Sequence, residues 1–369
     1  MNTKVLFMVS GLRKGGAETQ MLKIARFLRS ESYEVKIISL KPINDFNIDF
    51  KEEGLEVIFL KNWMQHPFSN ISRLFKELRM FNPDIVIAFM FIAIIFARFL
   101  KMCFGFSLIS SIRTPVISNK WYLPFKLTAG WDDIVVYNSY KSRSNFEQKK
   151  LVKKQGLVVN NAISIPASSQ IRPAKIIGNK PFVWITMAHF VPEKDYMTLF
   201  KAIALLKNYP FRIDVLGNLF DQKWPLEVVE ALGIAHHVRI LGLKTETAPF
   251  LSAADGFVLS SFLEGMPNAV LEAMAYEKPI IASSVDGIQE LLESIHCGFL
   301  FKQGDEAALA EKMMRIMKMS VEERNALGQN GRKHIEQNFS EEKVMQDWLS
   351  LVNQFSKGKV SPLPELLPR

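Results

Sequence analysis

The sequence predicts an α/β protein of two domains, each a parallel sheet with helices on both faces. Three observations predict it. The chain has 369 residues, more than one ordinary hydrophobic core organises. Short apolar runs of strand length alternate with longer helix-forming stretches, the pattern of a parallel sheet buried on both sides. The alternation also occurs twice, on either side of Ile163-Ser-Ile-Pro-Ala-Ser-Ser-Gln-Ile-Arg-Pro-Ala-Lys175, a stretch of prolines and serines without periodicity that reads as a linker.

In the first set, strands are expected at Lys4–Val9, Val35–Leu40, Val57–Leu60, Asp84–Phe89, Ser107–Ile112 and Ile134–Asn138. Helices are expected at Ala17–Arg29, Phe68–Phe81, Ile92–Met102 and Tyr140–Val152. In the second set the strands are Phe182–Met187, Arg212–Leu216, Val238–Leu241, Gly256–Leu259 and Pro279–Ala282. The helices are Tyr196–Lys207, Leu226–Leu232, Ala269–Ala275 and Ala307–Met319. The expected division is 1–165 for the first domain, 166–180 for the linker and 181–339 for the second domain. A C-terminal helix follows over 340–356, and 357–369 is a proline-rich tail.

Composition narrows the function. Net charge is +9, and it is uneven. Residues 1–170 hold 24 Lys/Arg against 13 Asp/Glu, whereas residues 171–369 hold 22 against 24. The positive half is suited to an anionic surface or substrate. No helix-turn-helix, zinc-finger or RNP pattern accompanies it, so no nucleic-acid partner is expected. Two cysteines, Cys103 and Cys297, make no disulfide framework. The N-terminus runs directly into a strand and shows no signal-peptide pattern. Ile85–Ala97 is apolar but shorter than the roughly 20 residues of a bilayer span, and reads as a buried strand followed by a helix. There is no Asp-x-Asp, Cys/His cluster or His-Glu-x-x-His, so no metal and no cofactor are expected.

The most informative stretch is Ser260-Ser-Phe-Leu-Glu-Gly-Met-Pro-Asn-Ala-Val-Leu-Glu-Ala-Met-Ala275. It reads as strand end, tight turn and helix, with Pro267 and Asn268 entering and capping the helix. A helix N-terminus presents free N–H groups to an anion. Glu264 on the loop and Glu272 in the helix are unsuited to a phosphate but suited to hydroxyls. A diphosphate joined to sugars offers both kinds of group.

This stretch resembles the Glu-x7-Glu signature of retaining nucleotide-sugar glycosyltransferases of family four. Three further segments resemble that family in the same order. Gly11-Leu-Arg-Lys-Gly-Gly-Ala-Glu18 is similar to its Gly-Gly-Ala-Glu loop. Met187-Ala-His-Phe-Val-Pro-Glu-Lys194 is similar to its phosphate clamp. Ser283-Ser-Val-Asp-Gly-Ile-Gln-Glu290 is similar to its Gly-Gly-x-x-Glu turn. The resemblance implies the GT-B fold, two Rossmann-like domains facing each other across a cleft, with the last helix crossing back onto the first domain. It implies a metal-independent, retaining hexosyltransferase. Glu264, Lys194 and His189 become candidate catalytic residues. Gly15, Gly16, Lys194, Glu264, Gly265, Met266, Pro267, Asn268, Ala269, Glu272 and Glu290 become candidates for the donor. Glu272 is assigned to the ribose and Lys194 to the diphosphate. His189 stands where the family most often has Arg, and Ala188 where it has Gly; an imidazole does not grip an anion bidentately. Asp286 replaces a common Gly.

On the acceptor side the resemblance and strand-end positions point to Arg113, Asn138 and Asn161. The implied partners are a nucleotide-sugar, UDP-linked in preference to GDP-linked, and a lipid-linked or saccharide acceptor used in surface polysaccharide or glycolipid assembly. The basic helix Phe68–Arg79 and the cluster Lys149–Lys154 make an anionic membrane surface a further expected partner, and a cytoplasmic enzyme at the inner membrane face the expected setting. Competing readings are a GT-B relative such as a sugar-nucleotide epimerase or phosphorylase, and a non-catalytic nucleotide-sugar binder.

Overall fold

The computed structural model describes residues 2–46, 48–172 and 181–356. The expected tail, 357–369, lies outside them, as do 173–180 of the expected linker. The chain forms two compact units. One comprises Met1–Ala162 and the chain from Glu342 on; the other is Ile163–Glu341.

The first unit is built on seven strands: β1 Lys4–Val9, β2 Glu34–Ser39, β3 Glu56–Phe59, β4 Ile85–Phe89, β5 Ser107–Ile112, β6 Ile134–Tyr137 and β7 Leu157–Val158. Their order is β3-β2-β1-β4-β5-β6-β7 and every pairing is parallel. The second unit repeats the pattern with β8 Phe182–Met187, β9 Phe211–Leu216, β10 Val238–Gly242, β11 Gly256–Leu259, β12 Ile280–Ser283 and β13 Gly298–Phe301. Their order is β10-β9-β8-β11-β12-β13, again all parallel. Each is a Rossmann-like sheet. Strand order reverses between β1 and β4, and between β8 and β11; ligands bind parallel sheets at the carboxyl ends of the strands flanking such a reversal. Among the described residues no helix is long and apolar enough to cross a membrane. The apolar run from Ile85 is strand β4 followed by helix Met90–Lys101.

Each sheet is covered on both faces. In the first unit, Val5, Phe7, Ile37 and Ile87 face one core and Leu6, Met8, Val86 and Leu108 the other, the two-residue alternation of a strand. The C-terminal helix Glu341–Phe355 belongs to the first core through Val344, Met345, Trp348 and Val352, and the Trp348 ring is 0% exposed. On the other face Arg98 is fully buried and fully satisfied. Its Nε and Nη2 donate to the two Asp132 oxygens, Nη1 to Phe125 O and Thr128 Oγ1, and Ser110 Oγ donates to Asp132. This bidentate pair ties helices Met90–Lys101 and Asn119–Leu127 to β5.

Several elements differ from expectation. Helix Asn119–Leu127 contains Pro124 and so gives no helical pattern. Strand β13 opens with Gly298, which reads as a breaker. A Cβ there would lie 1.8 Å from the Ile280 carbonyl, so neighbouring β12 requires glycine. Helix Val321–Asn338 is polar and buries only Arg324, Gly328, Gly331 and Ile335. A Cβ at Gly328 would meet the Glu277 carbonyl at 2.1 Å. The start of the expected linker is instead structured: Ile163 N donates to Phe339 O, and Ser168–Gln170 makes a 3-10 turn.

Two predictions follow from this packing. Trp348→Ala should destabilise the first unit by about 3–5 kcal/mol, as for other buried Trp truncations. Amide exchange in β1 and β4 under native conditions measures it; unchanged protection would contradict the assigned core. Glu18, in the first turn of helix Gly16–Ser30, has its carboxyl pushed up to about 7, chiefly by burial and despite Arg13 nearby. A raised carboxylate favours the protonated fold. Its contribution is therefore complete below about pH 4.5 and lost as pH rises to about 7. Glu18→Gln should match wild type at low pH and gain up to about 3 kcal/mol above pH 7, read from denaturant unfolding at several pH values.

Candidate functional site

Lys194 follows β8 and Glu264 follows β11, so the two residues occupy the strand-order reversal of the second sheet. Lys194 Nζ donates to Glu264 Oε1 at 2.5 Å, and Ser261 Oγ donates to the same oxygen at 2.6 Å. The lysine side chain is 25% exposed and the glutamate 10%.

The lysine is held by its backbone. Pro192–Lys194 is a 3-10 turn, and Asp195 then takes a left-handed conformation at φ 44° while capping helix Tyr196–Leu205 through Thr198 N. Aspartate tolerates that conformation better than most residues. Ser260 Oγ reaches both the Lys194 and Asp195 carbonyls, at 3.0 and 2.9 Å. Phe262 N donates to Glu193 O at 2.7 Å. The loops after β8 and β11 are thus bonded to each other directly.

The glutamate loop is fixed from beneath. Ser283 Oγ donates to Ser261 O at 2.5 Å. Helix Asp286–Leu292 brings Gly287 so close that a Cβ would stand 1.5 Å from the Gly265 carbonyl oxygen. Gly287 is therefore required by close approach, and it lies in a helix where a turn was expected. Glu290, on the same helix, is exposed. Gln303 Nε2 donates to Phe262 O at 2.8 Å, beside a cavity of about 420 Å³ lined by Ser284, Leu300, Phe301, Lys302 and Gln303 at the carboxyl ends of β12 and β13.

Gly265, Met266 and Pro267 are buried, and helix Asn268–Ala275 starts behind them. Its N-cap position is Pro267 at ψ 112°, and Asn268 is the first helical residue, not the cap as expected. Pro267 itself makes no side-chain capping bond, and the dipole of a helix N-terminus favours an anion. Ala269 and Glu272 lie on this helix, both half-buried. His189 follows β8; its Nδ1 accepts from Asn218 N at 3.1 Å, so a neutral ring carries its proton on Nε2. The adjoining backbones are in tight contact, since a Cβ at Gly217 would lie 1.8 Å from Ala188 O.

In the first unit, Gly15 is the extended N-cap and Gly16 the first residue of helix Gly16–Ser30, after β1. Arg113, Asn138 and Asn161 come together beyond β5, β6 and β7. Arg113 Nη1 donates to Asn161 Oδ1 at 3.2 Å, and Asn138 Nδ2 to Arg113 O at 3.3 Å. Burial lowers the Arg113 guanidinium to about 9. Sequence reasoning missed Ser260, Ser261, Ser283 and Gln303; a pair of serines closing an apolar strand was the available signal. Among the described residues no three His, Cys, Asp or Glu side chains converge as a metal site would need.

Comparison with known proteins agrees with this geometry. Residues 168–334 match the sequence profile of the family Glycosyl transferases group 1. The capsular polysaccharide biosynthesis glycosyltransferase CapM of Staphylococcus aureus is 27% identical over 183 residues, 48% of each chain. The chain thus matches about half the length of such relatives. An α-1,4-N-acetyl-D-galactosaminyltransferase of Campylobacter jejuni, named for a diNAcBac-PP-undecaprenol-linked acceptor, is 25% identical over 95% of this chain and 98% of its own. The structure of Anabaena HepE in complex with UDP and glucose superposes with a TM-score of 0.82 over 96% of this chain and 100% of that one, at 19% identity, which speaks for the fold. The chain thus has two Rossmann-like sheets of the GT-B kind, and the segment that carries the strand-order reversal of the second is the one that is similar to the group 1 glycosyl transferases.

Proposed function

We propose that this protein is a retaining glycosyltransferase that moves a sugar from a nucleotide-sugar, a UDP-sugar, to a lipid-linked or saccharide acceptor in surface polysaccharide or glycolipid assembly. The observation that carries the reading is the Lys194–Glu264 pair at the reversal between β8 and β11, beside the N-terminus of helix Asn268–Ala275. The relatives named for capsule and lipid-linked glycan synthesis support the pathway class, and HepE, crystallised with UDP and glucose, supports the base.

In this reading the diphosphate lies at the N-terminus of helix Asn268–Ala275. Backbone N–H groups and the Lys194 ammonium meet the charge that grows on the leaving oxygen. Glu264 accepts from hydroxyls of the transferred sugar and Glu272 from the ribose. The His189 Nε2–H adds a single donor where the family commonly places a guanidinium. The leaving phosphate oxygen takes the acceptor proton on the face it departs from, so retention needs neither a protein base nor a metal. Glu264 is bonded to Lys194 and Ser261, which holds the carboxylate in place before substrate arrives.

The first unit has the basic excess, and an anionic membrane surface is its proposed partner. Helix Pro67–Phe81 buries Leu74 and Leu78 but leaves Phe68 84% exposed and Ile71 partly so. The apolar side expected of this helix is therefore divided between core and solvent.

Glu264→Ala and Lys194→Ala should each lower turnover by about 10²-fold or more, the scale of removing one preorganised charge contact, without loss of fold by circular dichroism. Full turnover in Glu264→Ala would remove it from the site. Wild type should co-sediment with phosphatidylglycerol vesicles at low salt and be released at high salt, and Phe68→Asp should weaken the association. Equal recovery on neutral vesicles would reject the electrostatic part.

A further inference from the structure

Arg113 stands just past β5 and has neighbours from four directions. Its Nε donates to Ser111 Oγ at 2.9 Å, and its Nη1 to Val159 O at 3.1 Å and to Asn161 Oδ1. The guanidinium carbon lies 5.6 Å from the Phe89 ring centre and 5.5 Å from that of Trp348. None of these partners is anionic. Among the described residues no carboxylate pairs with Arg113, and its Nη2 is shut off from solvent with no acceptor. Asn138 Oδ1, on the residue whose amide holds the Arg113 carbonyl, is likewise buried without a donor.

The second arginine of this unit's interior makes the contrast. Arg98 is buried completely where Arg113 is half-buried, yet each of the three Arg98 nitrogens is bonded and two of them meet a carboxylate. Desolvating a cation is unfavourable unless a counter-charge restores the loss. Arg98 has its counter-charge within the fold; Arg113 has an open hydrogen-bond direction and no counter-charge among the described residues. The backbone nearby is strained as well. Phe89, under the guanidinium, is followed by Met90 at φ 68°, a conformation that a long side chain adopts only where the surroundings impose it, and such residues gather at ligand sites.

We propose that Arg113 and Asn138 form an anion-binding site at the carboxyl edge of the first sheet that takes the phosphate or diphosphate group of the acceptor. The proposal rests on the reading of this chain as a glycosyltransferase whose first unit receives the acceptor. Arg113 Nη2 donates to a phosphate oxygen, and Asn138 Oδ1 accepts from a neighbouring hydroxyl. With Nε and Nη1 already engaged, the contact is a single charge-assisted bond. The Phe89 and Trp348 rings keep water from screening it. The anion arrives either on a lipid diphosphate or on a phosphorylated sugar.

The test is thermal unfolding of the full chain with UDP at saturation, titrated with inorganic pyrophosphate and, separately, inorganic phosphate. Wild type, Arg113→Met, Arg113→Lys and Lys194→Ala are compared. Wild type should rise by several degrees with an anion. Arg113→Met should lose that rise while keeping or exceeding the wild-type midpoint without ligand. Arg113→Lys should retain part of it, and Lys194→Ala all of it. A larger response to pyrophosphate assigns the site to a lipid-borne diphosphate, and an equal or larger one to phosphate assigns it to a phosphorylated sugar. An undiminished rise in Arg113→Met, no rise in wild type, or a ligand-independent fall of several degrees in Arg113→Met overturns the proposal. Failure of the donor-site reading shows separately, as a UDP response that Lys194→Ala leaves unchanged.

Discussion

Backbone crowding at the carboxyl edge of the second sheet is the constraint on which the candidate site depends. Two glycines permit it. Gly217 brings the end of β9 against the Ala188 carbonyl, and Gly287 brings helix Asp286–Leu292 against the Gly265 carbonyl. At separations too small for a side chain, loops have little freedom to move. The Ser260, Ser261 and Ser283 hydroxyls then join the loops to one another. Lys194 and Glu264 inherit their positions from this scaffold. Fixed charges cost no reorganisation when substrate charge develops, the condition for electrostatic catalysis.

The two units use one sheet topology with different chemistry at its edge. In the second, the cation Lys194 has an anion in contact, and a diphosphate would compete with Glu264 for it. In the first, Arg113 has burial and aromatic rings but no anion among the described residues. Arg98 and Asp132, a complete pair within the core, serve the fold instead. Whether an internal carboxylate satisfies a buried cation thus separates a structural arginine from a candidate for ligand binding.

The sequence made the sheets legible because their central strands are fully buried and read as unbroken apolar runs, such as Ile85–Phe89. The site was legible through motifs, since strand, turn and helix leave their marks at fixed spacing. What stayed hidden depends on contacts made far along the chain. Gly298 reads as a breaker until Ile280 lies beside it. Helix Val321–Asn338 lacks an apolar stripe because Gly328 and Gly331 provide its contact face, although Ser320 and Glu323 form a capping box that was there to be read. The open valence of Arg113 has no local signature. It follows from what five separate segments do and do not offer it.

The central claim is that Lys194 and its surroundings bind a nucleotide diphosphate. The most direct measurement is isothermal titration calorimetry of UDP, GDP and NAD against wild type and Lys194→Ala. The account predicts binding of UDP in preference to GDP, none of NAD, and affinity for UDP at least tenfold weaker in Lys194→Ala, about 1.4 kcal/mol. Equal affinity of the variant for UDP, or no binding of either nucleoside diphosphate by wild type, would contradict it.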